Sequence, residues 1–332
     1  MTRKSSNAFV PRQKKNRKSE SHHMKVCQYT YCREIYQDDN ESCPVCGYPA
    51  DAALLKESGF VDNILPDLPV DSIIDMHQII PAKEGMLEQQ LQMMEKLGIK
   101  EALLQSVPSK VTSIWGNRKL FEVKQTYGDK FMISHFMDPR YPIARKRLKQ
   151  YREKGVRVIK LLPCLGYQPD KSRWHRFWKR MEELNMVAMI HTGFITARHK
   201  DEERRSGFYL HSKYGRPIFF DILARKYPNI QFILCHMGGT MWVEEAVQMV
   251  NAHENVWGDI SGSGIGALKR IIHNHITVDW TKLFWGNDSP PALYPVNLKL
   301  LFHYLKTGNR LDMAPMLLQN NAKHFLENVL ND

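Results

Sequence analysis

From about residue 70 onward, short and nearly unbroken apolar runs alternate with longer segments in which apolar positions recur every three or four residues. The runs are SIIDMH (72–77), EALLQSV (101–107), FMISHFMD (131–138), VRVIKLLP (156–163), MVAMIHTG (186–193), IQFILCHMGG (230–239), VWGDISG (256–262) and KLFWGNDSP (282–290). Between them lie helical patterns such as EGMLEQQLQMMEKLG, WHRFWKRMEELN and WVEEAVQMVNAH, several of them ending near the Gly or Asn that commonly follows a helix. Strands that are apolar throughout, rather than at every second position, belong in a parallel sheet covered on both faces. Eight strand–helix units across roughly 260 residues is the arithmetic of a closed (β/α)8 TIM barrel, the fold expected for residues 70–332. An open doubly wound sheet is the competing architecture. No glycine-rich turn follows the first run, so a dinucleotide site is not indicated.

Polar residues interrupt these runs at particular places. His77, His135, Lys160, His191, His236, Asp259 and Asp288 fall at or near the C-terminal ends of their strands, and in a barrel those ends converge on one mouth. One histidine of this kind is ordinarily a hydrogen-bonded core residue. Four of them, with a carboxylate on the last strand, are poorly explained by packing, because each would need its own buried partner. In SIIDMH, Asp75 and His77 would share one face of a regular strand and could grip one metal ion together. The segment after the fifth strand, TARHKDEERRSGFYLHSKYGRP, is long and charged, with six Lys/Arg and three acids. Loops of this length over a barrel mouth often act as lids, and Arg198, His199, Arg204, Arg205 and His211 could clamp a carboxylate or phosphate. An ordinary solvated loop is the alternative.

The first seventy residues read differently. Cys27 and Cys32 are separated by four residues, ten more follow, and Cys43 and Cys46 are separated by two. Two such pairs joined by a hairpin-length insert suit tetrahedral zinc, and a segment this small needs a metal to fold. A structural zinc ribbon is therefore expected over 25–52, as scaffold or partner contact and not as a catalytic centre. Cys164 and Cys235 sit in strand-like apolar runs and read as small buried hydrophobes. This usage fits a reducing, cytoplasmic location better than a disulfide framework. The formal charge of the 332-residue chain is +12, and residues 1–25 alone hold eight Lys/Arg against one acid, Glu20. Residues 1–24 are accordingly expected to form a disordered basic tail. Such a tail could touch nucleic acid, although a solvated extension is the favoured reading. Neither a membrane span nor a signal peptide is apparent.

Five pieces in order, IIDMH, MIHTG, FILCHMGG, WGDISG and FWGNDSP, resemble the amidohydrolase superfamily. More narrowly, they are similar to its branch of metal-dependent hydrolases and aminocarboxymuconate-semialdehyde-type decarboxylases. The likeness spans about 72–325 and includes LLQNNAKHFL, similar to that branch's closing helix; the ribbon and tail lie outside it. The resemblance implies that His191 is a metal ligand, that Asp288 is a ligand or water-orienting carboxylate, and that His236 is the acid/base. The first strand of the family usually ends H-x-H, whereas this chain offers one histidine. Read as D-x-H, Asp75 and His77 complete a ligand set for zinc or manganese, as E-x-H does in some decarboxylases; read with His77 first, Ile79 leaves a ligand missing. Lys160 matches a lysine common in the mononuclear branch and is expected near substrate.

Three functions follow from these features. The leading expectation is a hydrolase that uses a catalytic Zn2+ or Mn2+ to activate water against a C–N, ester or lactone bond of a small carboxylate-bearing substrate. Non-oxidative decarboxylation of an aromatic or unsaturated acid is the alternative, and a catalytically idle barrel serving as a scaffold is the third. A homodimer is expected by analogy with such families.

Overall fold

The computed structural model describes residues 24–38, 40–56, 72–109, 111–195 and 209–330. Apart from Met24, the expected basic tail lies outside these residues, as do Arg198, His199, Arg204 and Arg205 of the long loop. A small antiparallel pair comes first, β1 (Met24–Val26) with β2 (Ile35–Gln37). Eight strands then form one parallel sheet in strict chain order: β3 (Ile73–Gln78), β4 (Ile99–Gln105), β5 (Phe131–Phe136), β6 (Val158–Leu161), β7 (Val187–His191), β8 (Gln231–Cys235), β9 (Val256–Asp259) and β10 (Leu283–Phe284). The ring is drawn together where the Met76 N–H donates to Trp285 O (3.1 Å) and the Asp288 N–H donates to His77 O (2.7 Å). Each expected strand is present, most of them shorter than the apolar run that announced it.

The pleat sorts the apolar residues into two layers. Ile74, Met76, Leu103, Val158, Val187, Met189, Ile233, Trp257 and Phe284 pack inside the barrel. Their neighbours Ile73, Ala102, Leu104, Ile133, Ile159, Ala188, Ile190, Phe232 and Leu234 face the surrounding helices. Such double burial explains why the strands read as continuous hydrophobic runs. The helix Asn321–Phe325 closes the interior, with Phe325 edge-on to Trp257 (5.0 Å) and Phe284 (5.2 Å). Among the described residues no helix is long and apolar enough to cross a membrane.

The cysteine segment folds against the outside of this barrel. Cys27, Cys32, Cys43 and Cys46 are buried, and their backbones make two tight knuckles: Cys32 N–H donates to Tyr29 O (3.1 Å), and Gly47 N–H donates to Cys43 O (2.8 Å). Gly47 has φ 74°, which suits glycine. The knuckle residues share one core with the helices Gly264–His273 and Tyr294–Thr307, and Lys269 pairs with Glu34 at 3.9 Å.

Candidate active site

The first barrel strand contains the departure that shapes the site. Asp75 pairs with Ala102 and Gln78 with Leu104, so three steps along β3 match two along β4. A bulge of this kind re-aims a side chain. Ile74 and Met76 point inward, and regular alternation would send Asp75 and His77 outward together. The bulge instead brings His77 in, beside Met76, and leaves Asp75 on the helix side. Asp75 is fully buried there, and its Oδ1 accepts the N–H groups of His77 (2.9 Å) and Asn287 (3.2 Å) while Oδ2 accepts the Tyr294 hydroxyl. Burial pushes its carboxyl up to about 7, partly offset by these donors. The expected D-x-H ligand pair is therefore not formed, because the two side chains do not share a face.

His77 is met at the mouth by residues from three other strand ends. Its Nδ1 faces Asp259 Oδ2 in a short contact and lies 2.8 Å from Ser261 Oγ, while its Nε2 lies 3.4 Å from Asp288 Oδ1. His236 Nδ1 is 3.0 Å from Ser261 O and 3.8 Å from Asp288 Oδ2. The His236 ring lies 5.0 Å from that of His77 and 4.9 Å from that of His191. His191 Nε2 is buried with no hydrogen-bond partner among the described residues. Asp259 is fully buried, whereas the Asp288 side chain is 19% exposed and so faces whatever enters the mouth.

Burial disfavours the charged form of each imidazole. It holds His77 and His191 well below the ordinary histidine range and pushes His236 down to about 3, with neighbouring histidines and Lys160 acting in the same direction on His191 and His236. Burial raises Asp259. With neutral rings, the acceptors fix the tautomers: the Nδ1–H of His77 points at Asp259 and the Nδ1–H of His236 at Ser261 O, leaving both Nε2 lone pairs available.

The backbone at this rim is held in demanding conformations. His236, Met237 and Asp288 have φ of 65°, 47° and 42°, a left-handed region that non-glycine residues occupy only when the surroundings determine it. Gly286 is required for close approach, since a Cβ there would lie 2.5 Å from His77 Cβ.

The remaining expected site residues divide. Lys160 is buried inside the barrel and donates to Cys235 Sγ at 3.0 Å, beneath the histidines rather than open at the rim. The His211 N–H donates to Cys164 O (2.6 Å), and its ring lies with Arg140 against Gly166. Arg140 is held by Asp138 through Nε–Oδ1 (3.0 Å) and Nη2–Oδ2 (2.6 Å). Arg198 and Arg204 fall outside the described residues. His135 does not join the mouth: it lies on the outer layer with its ring edge-on to Tyr151 at 4.7 Å. Sequence reading placed Asp259 at a strand end without a role, and it passed over Ser261 and Arg140. The WGDISG run contained the signal for the first two, as polar residues closing an apolar strand.

Among the described residues there are thus two donor clusters. The nearest donor atoms of His77, His236 and Asp259 lie within 4.8 Å of one another, and those of the four cysteines do likewise. In the first cluster Asp259 is occupied with His77 Nδ1, which suits an orienting carboxylate better than a ligand. Beside this cluster, His191 Nε2 is buried without a hydrogen-bond partner among the described residues, with its ring 4.9 Å from that of His236, and Asp288 Oδ1 lies 3.4 Å from His77 Nε2. Imidazole nitrogen and carboxylate oxygen are donor types that suit a divalent ion. In the second, Cys27 and Cys46 Sγ are 3.7 Å apart, as are those of Cys32 and Cys43. Four sulfurs around a tetrahedral ion with bonds of ~2.3 Å would be about 3.8 Å apart.

A search by sequence among curated proteins found no match. Similar solved structures include an uncharacterised TIM-barrel protein from Bordetella bronchiseptica (15% identity, TM-score 0.58, covering 79% of this chain and 100% of that one). Another is a probable 2-pyrone-4,6-dicarboxylic acid hydrolase from Acinetobacter baumannii, solved with citric acid bound (12%, TM-score 0.54, 79% and 100%). A third is 5-carboxyvanillate decarboxylase from Novosphingobium aromaticivorans, complexed with manganese and 4-hydroxy-3-methoxy-5-nitrobenzoic acid (14%, TM-score 0.54, 77% and 96%). At these identities the likeness is one of fold. A family model described as amidohydrolase matches residues 120–327, well over half of the sequence and including four of the strand ends that build the mouth, those of β7, β8, β9 and β10. The chain belongs to the amidohydrolase family.

Proposed function

We propose that this protein is a metal-dependent hydrolase that activates water against a C–N, ester or lactone bond of a small, carboxylate-bearing substrate. One observation carries the reading: a buried His191 Nε2, unpartnered among the described residues, close to neutral His236 and His77, with the partly open Asp288 carboxylate beside those two rings. His77, His191 and Asp288 would hold Zn2+ or Mn2+, and three protein ligands leave a coordination position open. An ion so bound polarises substrate oxygens and lowers the pKa of water. Asp259 keeps His77 in the tautomer that offers Nε2. His236, neutral with its Nδ1–H on Ser261 O, can accept a proton at Nε2 and return it to a leaving group. Asp288 is the partly exposed carboxylate that can orient the attacking water. Arg140 and His211, side by side at the rim, are suited to a substrate carboxylate. The ribbon cysteines would bind a structural Zn2+, since a closed four-thiolate site leaves no open position. None of the six cysteines is paired in a disulfide, which supports a reducing, cytoplasmic setting.

Decarboxylation is the second reading, favoured by the manganese-bound decarboxylase that shares this fold. With Asp75 turned away, the D-x-H argument for it is gone. The test is to assay the Zn2+- and Mn2+-loaded protein against esters, lactones, amides and aromatic acids, following proton release and carbon dioxide together. The expected result is proton release without carbon dioxide, reduced roughly 10²–10⁴-fold in His236→Gln. Carbon dioxide from an aromatic acid would establish the second reading instead. Turnover unaffected by both His236→Gln and Asp288→Asn would overturn either reading of this site, and no turnover of any of these substrates would leave the scaffold.

A further inference from the structure

The ribbon does not merely rest on the barrel; a buried chain of hydrogen bonds runs from it to the loop that bears Asp288. Tyr29 sits between Cys27 and Cys32, and its carbonyl accepts the N–H groups of Cys32 (3.1 Å) and Arg33 (3.2 Å), so the shape of the knuckle sets the position of its ring. That ring is buried, stacked on Tyr48 (5.3 Å) and edge-on to Tyr31 (5.5 Å). Its hydroxyl donates to Asn297 Oδ1 on the helix that follows the last strand. Asn297 Nδ2 donates in turn to Asn287 Oδ1 (2.7 Å) and Asn287 O (3.1 Å). The backbone N–H of Asn287 donates to Asp75 Oδ1 (3.2 Å), the same oxygen that accepts the His77 N–H. The next residue is Asp288, whose N–H closes onto His77 O.

We propose that Tyr29 is a positioning residue: through Asn297 and Asn287 it holds the Asp288 loop, and with Asp75 the first strand, in the conformation the mouth requires. Asp288 has φ 42°, which costs a non-glycine residue energy and persists only when its neighbours fix it. Asn287 is fully buried, and both ends of its amide are engaged, Oδ1 by Asn297 and Nδ2 by Gln78 Oε1 (3.1 Å) and Ser289 O (2.8 Å). The chain therefore has little slack. It also gives Asp75 a reason to be buried on the helix side: it is the far anchor of this network. Metal in the ribbon, by setting the first knuckle, would then tighten a site on the other side of a helix, without the thiols taking part in chemistry.

The inference rests on the reading of His77 and Asp288 as site residues, and the test separates the two. Full-length wild type, Tyr29→Phe, Asn297→Ala and the control Tyr48→Phe are compared by hydrogen–deuterium exchange over residues 285–290. Mn2+ binding to the barrel, with the ribbon zinc-loaded, is measured on the same samples by calorimetry. Tyr29→Phe keeps the ring and removes only the hydroxyl, so a purely packing role would leave it unchanged. The expected result is exchange faster by about tenfold in the 285–290 segment and Mn2+ affinity weaker by about 10–100-fold in both Tyr29→Phe and Asn297→Ala. Ribbon zinc and exchange in β6 and β7 should stay as in wild type, and Tyr48→Phe should follow wild type. Wild-type exchange of the segment in both variants overturns the proposal. Wild type that takes no Mn2+ overturns the barrel metal site instead, and the exchange measurement still decides the role of Tyr29.

Discussion

His77 illustrates how the environment of one residue decides its chemistry. Its ring is neutral, its Nδ1–H is committed to Asp259, and only Nε2 remains free to bind. Asp259→Asn replaces that acceptor with an amide able to present a donor, which frees the ring to turn. Barrel affinity for Mn2+ should fall by roughly 10–100-fold, with ribbon zinc unchanged, as read by titration calorimetry. Gly286→Ala should be harsher, since a methyl 2.5 Å from His77 Cβ must push apart two strand ends. A loss on the order of 1–3 kcal/mol in urea unfolding is expected, together with loss of barrel metal. That His77, His191, His236 and Asp288 close strands at the mouth was legible in the sequence, because polar residues ending apolar runs stand out; their roles are what the proposed function adds. The wrong partner for His77 was equally natural, since alternation is the only face rule that a lone strand offers. A bulge is defined against the neighbouring strand, and no residue in SIIDMH announces one.

At the scale of elements, the eight strands and their order were legible because burial on both faces leaves unbroken apolar runs. Which face a polar residue takes was less so, as His135 shows. It ends an apolar run much as His191 does, yet it packs on the outer layer against Tyr151 with both ring nitrogens unpartnered among the described residues. Burial pushes it down to about 4 from the ordinary 6.5. As pH falls the unfolded chain takes the proton first, so this residue's share of stability is present above about 6.5 and is lost between 6.5 and about 4. His135→Phe should remove on the order of 2–3 kcal/mol of that acid-side slope, measured by urea unfolding at pH 4.5 and 7.5. The closing helix offers a second test. Phe325 plugs the interior against Trp257 and Phe284, so Phe325→Ala should cost about 3–5 kcal/mol while leaving ribbon zinc in place.

The whole molecule joins a four-cysteine ribbon to an amidohydrolase-family barrel through one continuous core. The presence of both parts was legible, the ribbon from its cysteine spacing and the barrel from its rhythm. Their connection was not, because Tyr29 and Asn297 lie 268 positions apart and neither belongs to a recognisable motif. The account depends on the barrel mouth binding an ion of its own. The most direct measurement is metal content per chain by mass spectrometry for purified wild type, His191→Ala and Cys43→Ala. The account predicts about two ions in wild type and about one in each variant, the barrel ion lost in the first and the ribbon ion in the second. A single ion in wild type, retained in His191→Ala and absent from Cys43→Ala, would contradict it.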